Sequence, residues 1–321
     1  MTYANSSETE VAFVEESAWG VTPASPAFQR LRLTGESLTH TKENVVSEEI
    51  TPTADVADEV GVGSSGTGGV NFELTFGDQD TGVMLAHALR ADWALGTGAD
   101  QLEDLVAGTA KKSMTLQKKF ALDAGSDFNR YPGMRVNTLS LTVDENGLVT
   151  GTTEFIGKGE EDGTTELAGA TYVASNTGRP MSSVGVANIA VGGIGGQLYF
   201  SSLSLNIANN CEAQNALGTD VAVGVRYGQR EVTGNLTAYL NAASRPLYER
   251  FKDGTKGSLS FEFSADGESY VVTMPAATFN EGTKNAAGNS EDVVIELSFR
   301  ANLDASLGSS IMVQRTATED V

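Results

Sequence analysis

Residues 61–66 read Gly61-Val62-Gly63-Ser64-Ser65-Gly66, the G-x-G-x-x-G spacing that cradles a dinucleotide pyrophosphate. That chemistry needs a strand delivering the glycines to a helix N-terminus. Here the alternating pattern of a strand follows them instead, so the segment reads as loop glycine. Asp78 and Asp80 open like a calcium loop, but the twelfth position is Leu89 rather than a bidentate Glu, and the intervening residues run into a helical pattern. His40 reads as a strand-edge residue and His87 as one on a helix. Neither has a second His or a Cys at ligand spacing, and no H-E-x-x-H occurs. Cys211 has no neighbouring His to activate its thiolate, and G-x-S-x-G and a Lys-containing P-loop are both missing. The pairs Glu48-Glu49 and Asp58-Glu59 have the residue types for general acid and base, yet neighbours on a strand point to opposite faces. A solvated acidic face is the default reading, with no cofactor, no metal and no catalytic residue expected.

The elements that carry these residues are strands. In Val70-Asn71-Phe72-Glu73-Leu74-Thr75-Phe76 every second residue is apolar, the pattern of a half-buried strand. The same reading fits residues 31–38, 136–143, 198–207, 258–263, 270–279 and 293–299. Asp144-Glu145-Asn146-Gly147 and Ala265-Asp266-Gly267 separate such runs with tight-hairpin chemistry, so the sheet should be antiparallel. Two segments read as helix, 80–91 and 244–253. The second has Ser244 as N-cap, Pro246 in its first turn and Gly254 at its end. Each follows a strand, and a gap-free offset of 164 residues sets Phe72, Phe76, Val83, Met84 and His87 on Leu236, Leu240, Leu247, Tyr248 and Phe251.

The order of elements predicts an internal duplication, with two unrelated β regions as the alternative. The expected fold is mainly β: two tandem sandwich or partial-barrel modules, residues 1–170 and 171–321, each with one flanking helix. The polar, acidic stretch 159–178 reads as a linker or a solvated loop. Residues 51–69 and the tails 1–27 and 304–321 read as arms or loops. The first of these is either a contact loop ordered by a neighbouring subunit or plain disorder.

The chain has 321 residues, with 42 Asp and Glu against 21 Lys and Arg, a formal net charge of −21. So acidic a chain is not a nucleic-acid gripper, since that affinity comes from Lys and Arg displacing counterions. Residues 1–170 hold 27 acidic and 11 basic residues and 171–321 hold 15 and 10, so the halves carry −16 and −5. A single Cys closes no intrachain disulfide. The first ten residues lack the basic start and apolar stretch of a signal peptide, and the weakly polar run 184–196 is too short to span a bilayer. A soluble, non-exported protein without membrane partners is expected.

Ser17-Ala18-Trp19-Gly20-Val21-Thr22-Pro23-Ala24, then Phe28-Gln29-Arg30-Leu31-Arg32-Leu33-Thr34-Gly35-Glu36-Ser37-Leu38, then Glu43-Asn44-Val45-Val46-Ser47-Glu48-Glu49-Ile50, resemble the opening of tail tube proteins of long-tailed bacteriophages. The resemblance is sharpest over residues 15–90 and continues as an architectural match. It implies a virion protein of the phage tail, assembled in the host cytoplasm, whose subunits form rings that stack into a tube for DNA ejection. Its implied partners are itself, the tape measure protein, and the tail terminator and tip proteins.

With a duplicated module, three chains would make a pseudo-sixfold ring. Four strands per module would close a barrel of about 24, wide enough for duplex DNA. Acidic residues would keep that DNA off the wall. Candidates for the bore are Glu36, Glu48, Glu73 and Glu154, with solubilising charge on the outside as the alternative for each. Candidates for contacts between rings are Asp55, Asp58 and Glu59 against Lys111, Lys112, Lys118, Lys119, Arg226 and Arg230. Another β-sandwich surface, adhesive or capsid-decorating protein, or a two-carboxylate carbohydrate-active enzyme, are the competing functions.

Overall fold

A computed structural model describes residues 3–77, 80–96, 102–123, 125–196, 198–286, 288–289 and 291–316. Asp78, of the calcium-like run, lies outside the described residues. The first half holds β1 (Glu10–Glu15), β2 (Ala27–Arg30), β3 (Gly35–Glu36), β4 (Thr39–Val46), β5 (Glu59–Glu73), α1 (Thr81–Leu89), β6 (Ala94–Leu95), β7 (Leu102–Val106), β8 (Met114–Leu122), β9 (Gly125–Asp144), β10 (Thr150–Gly157) and β11 (Glu161–Gly163). The second holds β12 (Thr171–Val173), β13 (Val186–Val191), β14 (Phe200–Ala208), β15 (Glu212–Gln214), β16 (Gly224–Arg226), β17 (Glu231–Tyr239), α2 (Arg245–Asp253), β18 (Gly257–Ala265), β19 (Glu268–Asn285), β20 (Val294–Ala301) and β21 (Met312–Thr316).

Alternation makes the protein mainly β, and burial of the apolar positions makes it layered. Eight antiparallel strands lie side by side in the order β4, β5, β10, β9, β14, β17, β20, β19. Four come from each half, and β9 and β14 join them. A second layer is built around the first parts of the long strands β9 and β19: β2, β1, β8 and β11 around β9, and β13, β18, β21 and β7 around β19. The layers are not closed into a barrel. One continuous apolar core lies within, including Leu74, Leu139, Leu205, Leu236 and Phe299 together with Met114, Tyr131, Phe261 and Met274. Each fully buried side chain of this kind contributes about 1.5–3 kcal/mol.

Bulges let one strand serve both layers, because an extra residue bends the strand and raises its twist. Pairing of β8 with β9 steps from Met114↔Met134 to Leu116↔Tyr131. Pairing of β18 with β19 steps from Gly257↔Ala277 to Leu259↔Met274, each residue 143 positions later. Further along, Asn137 is the extra residue on β9 opposite β10, and Asn280, again 143 later, is the extra residue on β19 opposite β20.

The helices start 164 residues apart and both have nine residues, as the offset predicts. The strands before them differ by two: matching β10 to β20 through their bulges sets Gly68 on Gly234, an offset of 166. Helix α1 is buried along almost its whole surface. Trp93 Nε1 donates to Gly82 O at 2.9 Å, Asn209 Nδ2 to Ala88 O at 2.9 Å, and Arg230 to Leu89 O at 3.1 Å. The last two bring donors from the second half to the carbonyl end of a first-half helix. In α2 only Leu247 is buried. Ser244 does not act there as the expected N-cap, for its Oγ is turned back to donate to Tyr239 O at 2.8 Å.

Three segments read as loop contain strand. Residues 59–69 belong to β5 and pair with β4 in a protruding hairpin, β1 occupies the N-terminal tail and β21 the C-terminal one. The linker stretch also contributes, with β12 pairing in parallel with β2, and β11 pairing antiparallel with β9. In each case backbone pairing with a distant strand supplies the order that local alternation does not show. The Trp-Gly-x-Thr-Pro motif is a staple of this kind. Trp19 Nε1 donates to Gly133 O at 2.9 Å, and the Glu16 carboxylate accepts from Gly20 N, Ser113 Oγ, Thr115 Oγ1 and Gly133 N at 2.7–2.8 Å.

Candidate functional site

One face of the eight-stranded sheet covers the core and the other is free over most of its area. Strand alternation puts Val70, Leu139, Leu203, Leu236 and Leu297 inward, so the residues between them point outward. Those residues are almost all Ser, Thr, Asn, Asp or Glu. Their short polar groups bind one another across strands: Thr152 Oγ1 donates to Asn71 Oδ1 at 2.8 Å, Ser202 Oγ to Thr237 Oγ1 at 2.9 Å and Ser298 Oγ to Asn235 Oδ1 at 2.8 Å. Donors engaged in this way offer little to a passing phosphate.

The charges on this face are unequal. Glu73, Asp144, Glu154, Glu231, Glu281 and Glu296 bring six carboxylates. Arg300 Nη2 is within 3.4 Å of Glu231 Oε2. Arg135, at the far end, is buried beneath the β15–β16 hairpin and donates to Val225 O. Among the described residues of the eight sheet strands, no lysine points outward from this face.

Glu73 and Glu154 therefore sit on the polar face. Glu154 lies flat across Gly69, where an added Cβ would come within 2.5 Å of its carboxylate and turn that side chain aside. Glu36 lies elsewhere. Its carboxylate turns towards the second layer, meets Lys118 Nζ at 2.9 Å and accepts the Leu38 N–H at 3.0 Å. The parity of alternation changes between Leu33 and Leu38, which puts Glu36 on the side of buried Leu38. Glu48 is exposed in the turn joining β4 to β5. Reading the strands missed Asp144, Glu231, Glu281 and Glu296, although the alternation with Val143, Val232 and Ile295 marks three of them.

The β4–β5 hairpin extends past the sheet as an arm. It exposes Val45, Val46, Val60 and Val62, and Ile50 at its turn is 97% exposed. Asp55, Asp58 and Glu59 lie at the same end. Of the cations expected to meet them, most are engaged within the chain. Lys112 contacts Asp92 at 2.7 Å and Glu15 at 3.4 Å, Lys118 pairs with Glu36, Lys119 with Glu166 at 3.8 Å and Arg226 with Glu212. Arg230 caps α1 and donates to Gly108 O at 2.6 Å. Burial and nearby Arg90 pull its guanidinium pKa down to about 10. Lys111 is exposed, and among the described residues it has no ion-pair partner.

The two histidines are not paired. His87 is buried in α1, with Nε2 at 2.7 Å from Glu15 Oε1, and desolvation lowers its pKa. That hydrogen bond brings the Glu15 carboxyl down to about 2. Among the described residues no group of three His, Cys, Asp or Glu side chains is arranged to hold a metal ion.

A protein-family model described as phage tail tube protein matches residues 6–301, nearly the whole chain. The chain belongs to the phage tail tube protein family. No curated protein matches its sequence. A tail tube protein is a structural component of the virion tail. In this tail tube protein the Trp19 staple and the eight-stranded sheet fall inside the matched span, as does the arm. Among the described residues no helix is long and apolar enough to cross a membrane.

Proposed function

We propose that this tail tube protein is a non-enzymatic conduit subunit, two tandem modules meeting near residue 170, of which three copies close into a pseudo-sixfold ring. The observation that carries the reading is the eight-stranded sheet, whose free face has six carboxylates and no outward lysine. Three such sheets make 24 strands. At about 4.8 Å between strands and a tilt near 40°, they enclose a barrel about 45–50 Å across between opposite backbones. The repeated bulges support the two-module reading, because they place the same bend at the same step in both halves.

The polar face then lines the bore, with Glu73 and Glu154 on it. DNA carries one charge per about 1.7 Å of axis, and carboxylates repel it within a screening length of about 8 Å. Rings stack through the arm, whose acidic turn meets Lys111 of the next ring. Assembly takes place in the host cytoplasm around the tape measure protein, with terminator and tip proteins at the ends.

Electron microscopy of the concentrated protein tests this. Rings or hollow filaments with threefold averages are expected, and a monodisperse monomer at high concentration would refute the reading. Reversing Glu73 and Glu154 to Lys should leave tubes intact and slow DNA delivery. Unchanged infectivity would take both residues off the bore.

A further inference from the structure

The two ends of the eight-stranded sheet match one another as β9 and β14 do inside the chain. Among the described residues no strand pairs with the outer edge of β19 after Phe279, or with the outer edges of β3 and β4. On β9 the corresponding edge is filled: Thr138 pairs with Ala208 and the register runs on to Asp144 with Ser202. Bulged Asn137 stands at the head of that seam. Its Oδ1 accepts the Cys211 N–H at 2.8 Å and its carbonyl accepts the Asn209 N–H at 2.7 Å. The same bulge recurs at Asn280, on the open edge, where the residue is exposed. The helices repeat the arrangement. Helix α1 lies over both β9 and β14, whereas α2 lies over β19 and β20 and overhangs an edge with no further strand.

We propose that a second copy of this chain fills the β19 edge with its residues 35–41, in the register that β14 takes on β9, and that Asn280 pins the register. The proposal rests on the ring reading above and specifies its seam. The registers of β3 and β4 on β5, compared with that of β14 on β17, set Gly35 at the place of Ser202 and Thr41 at that of Ala208. Glu281 then faces Thr41 of the next copy, Thr283 faces its Thr39, and Asn285 its Ser37. Asn280 Oδ1 accepts the Asn44 N–H of the next copy, as Asn137 accepts that of Cys211. Until the seam forms, Glu36 holds the Leu38 N–H on the open edge, which blunts that edge against random pairing.

Odd-numbered residues of β14 donate towards β9, as Asn209 shows. Thr39 and Thr283 therefore form a close, non-hydrogen-bonded pair, with Cα atoms about 4.5 Å apart and within disulfide reach. The test is Thr39→Cys with Thr283→Cys in a Cys211→Ser background, oxidised after assembly, beside a slipped pair, Thr39→Cys with Lys284→Cys. The expected result is closed covalent trimers from the first pair and none from the second. Rings seen by microscopy with crosslinks only in the slipped pair, or in neither, would overturn the register and leave the ring reading standing. Absence of both rings and crosslinks would sink the two together. Asn280→Ala, at an exposed position, should leave the melting temperature unchanged and raise the concentration needed for assembly about five- to tenfold, the worth of one hydrogen bond per seam. Unchanged assembly would remove Asn280 from the seam.

Discussion

Two hairpins leave corresponding corners of the sheet, β4–β5 in the first half and the β15–β16 excursion between β14 and β17 in the second, and they meet opposite fates. The second is held down on its own chain. Val225 and Ala222 are 2% and 1% exposed, and the Tyr227 ring lies between Arg90, 4.0 Å from its centroid, and Arg135, at 4.9 Å. Tyr227 OH donates to Lys112 O at 2.8 Å. The first hairpin stands away with its valines half exposed. Backbone pairing forms both, so hairpin chemistry is not what separates them. The difference is a receiving surface: the second is clasped through Tyr227 by Arg90 at the end of α1 and Arg135 on β9, and the apolar residues of the first have no such surface among the described residues. An exposed apolar arm of this kind marks a contact with another molecule.

The clasp is the strongest point at which to break the comparison. Tyr227→Ala should cost about 2–3 kcal/mol of stability, measured as a shift in denaturant midpoint, because a half-buried ring and its hydrogen bond are both lost. An unchanged midpoint would mean the hairpin is not anchored there. The same variant should expose Cys211, whose thiol pKa burial raises to about 11, and so speed its labelling at pH 8.

On the arm the effects should fall on assembly instead. Ile50→Asp with Val56→Asp should leave monomer stability within about 0.5 kcal/mol and raise the concentration needed for tubes at least tenfold. A large loss of monomer stability would show that the arm packs on its own chain.

A third contrast is in alkali. Burial pushes the Tyr227 hydroxyl up to about 12, above its ordinary 10. A raised folded pKa favours the protonated native form, so this contribution is complete below pH 10 and fades as pH rises from 10 to 12. Tyr227→Phe should remove the dependence while keeping the clasp, with arm variants retaining it, as denaturation between pH 9 and 12 would read. The smallest effect is expected from Lys111→Glu, no more than about 1 kcal/mol per stacking contact, seen as a weaker salt dependence of tube formation.

Strand positions were legible wherever burial is one-sided. The runs around Phe72, Leu139, Leu205 and Phe299 alternate because one face meets the core, and the second helix could be placed by Pro246 in its first turn and Gly254 at its end. Segments 59–66 and 312–316 were not legible. The first is glycine- and serine-rich with both faces wet at its outer end, and the second is a strand because β7 and β19 flank it. Of the candidate bore residues, Glu73 and Glu154 followed from alternation. Glu36 did not, because a break in parity between Leu33 and Leu38 is invisible to a pattern that assumes one continuous strand.

The order of amino acids by itself determined the β character, the two strand-then-helix units and the excess of carboxylates, since these depend on local period and on counting charges. Only tertiary structure decided which carboxylates share the polar face, that Lys118 turns to Glu36, and which hairpin is clasped. Those outcomes depend on pairings as distant as 82 and 90 residues along the chain, where register and the presence of a receiving surface, rather than local preference, select the partner.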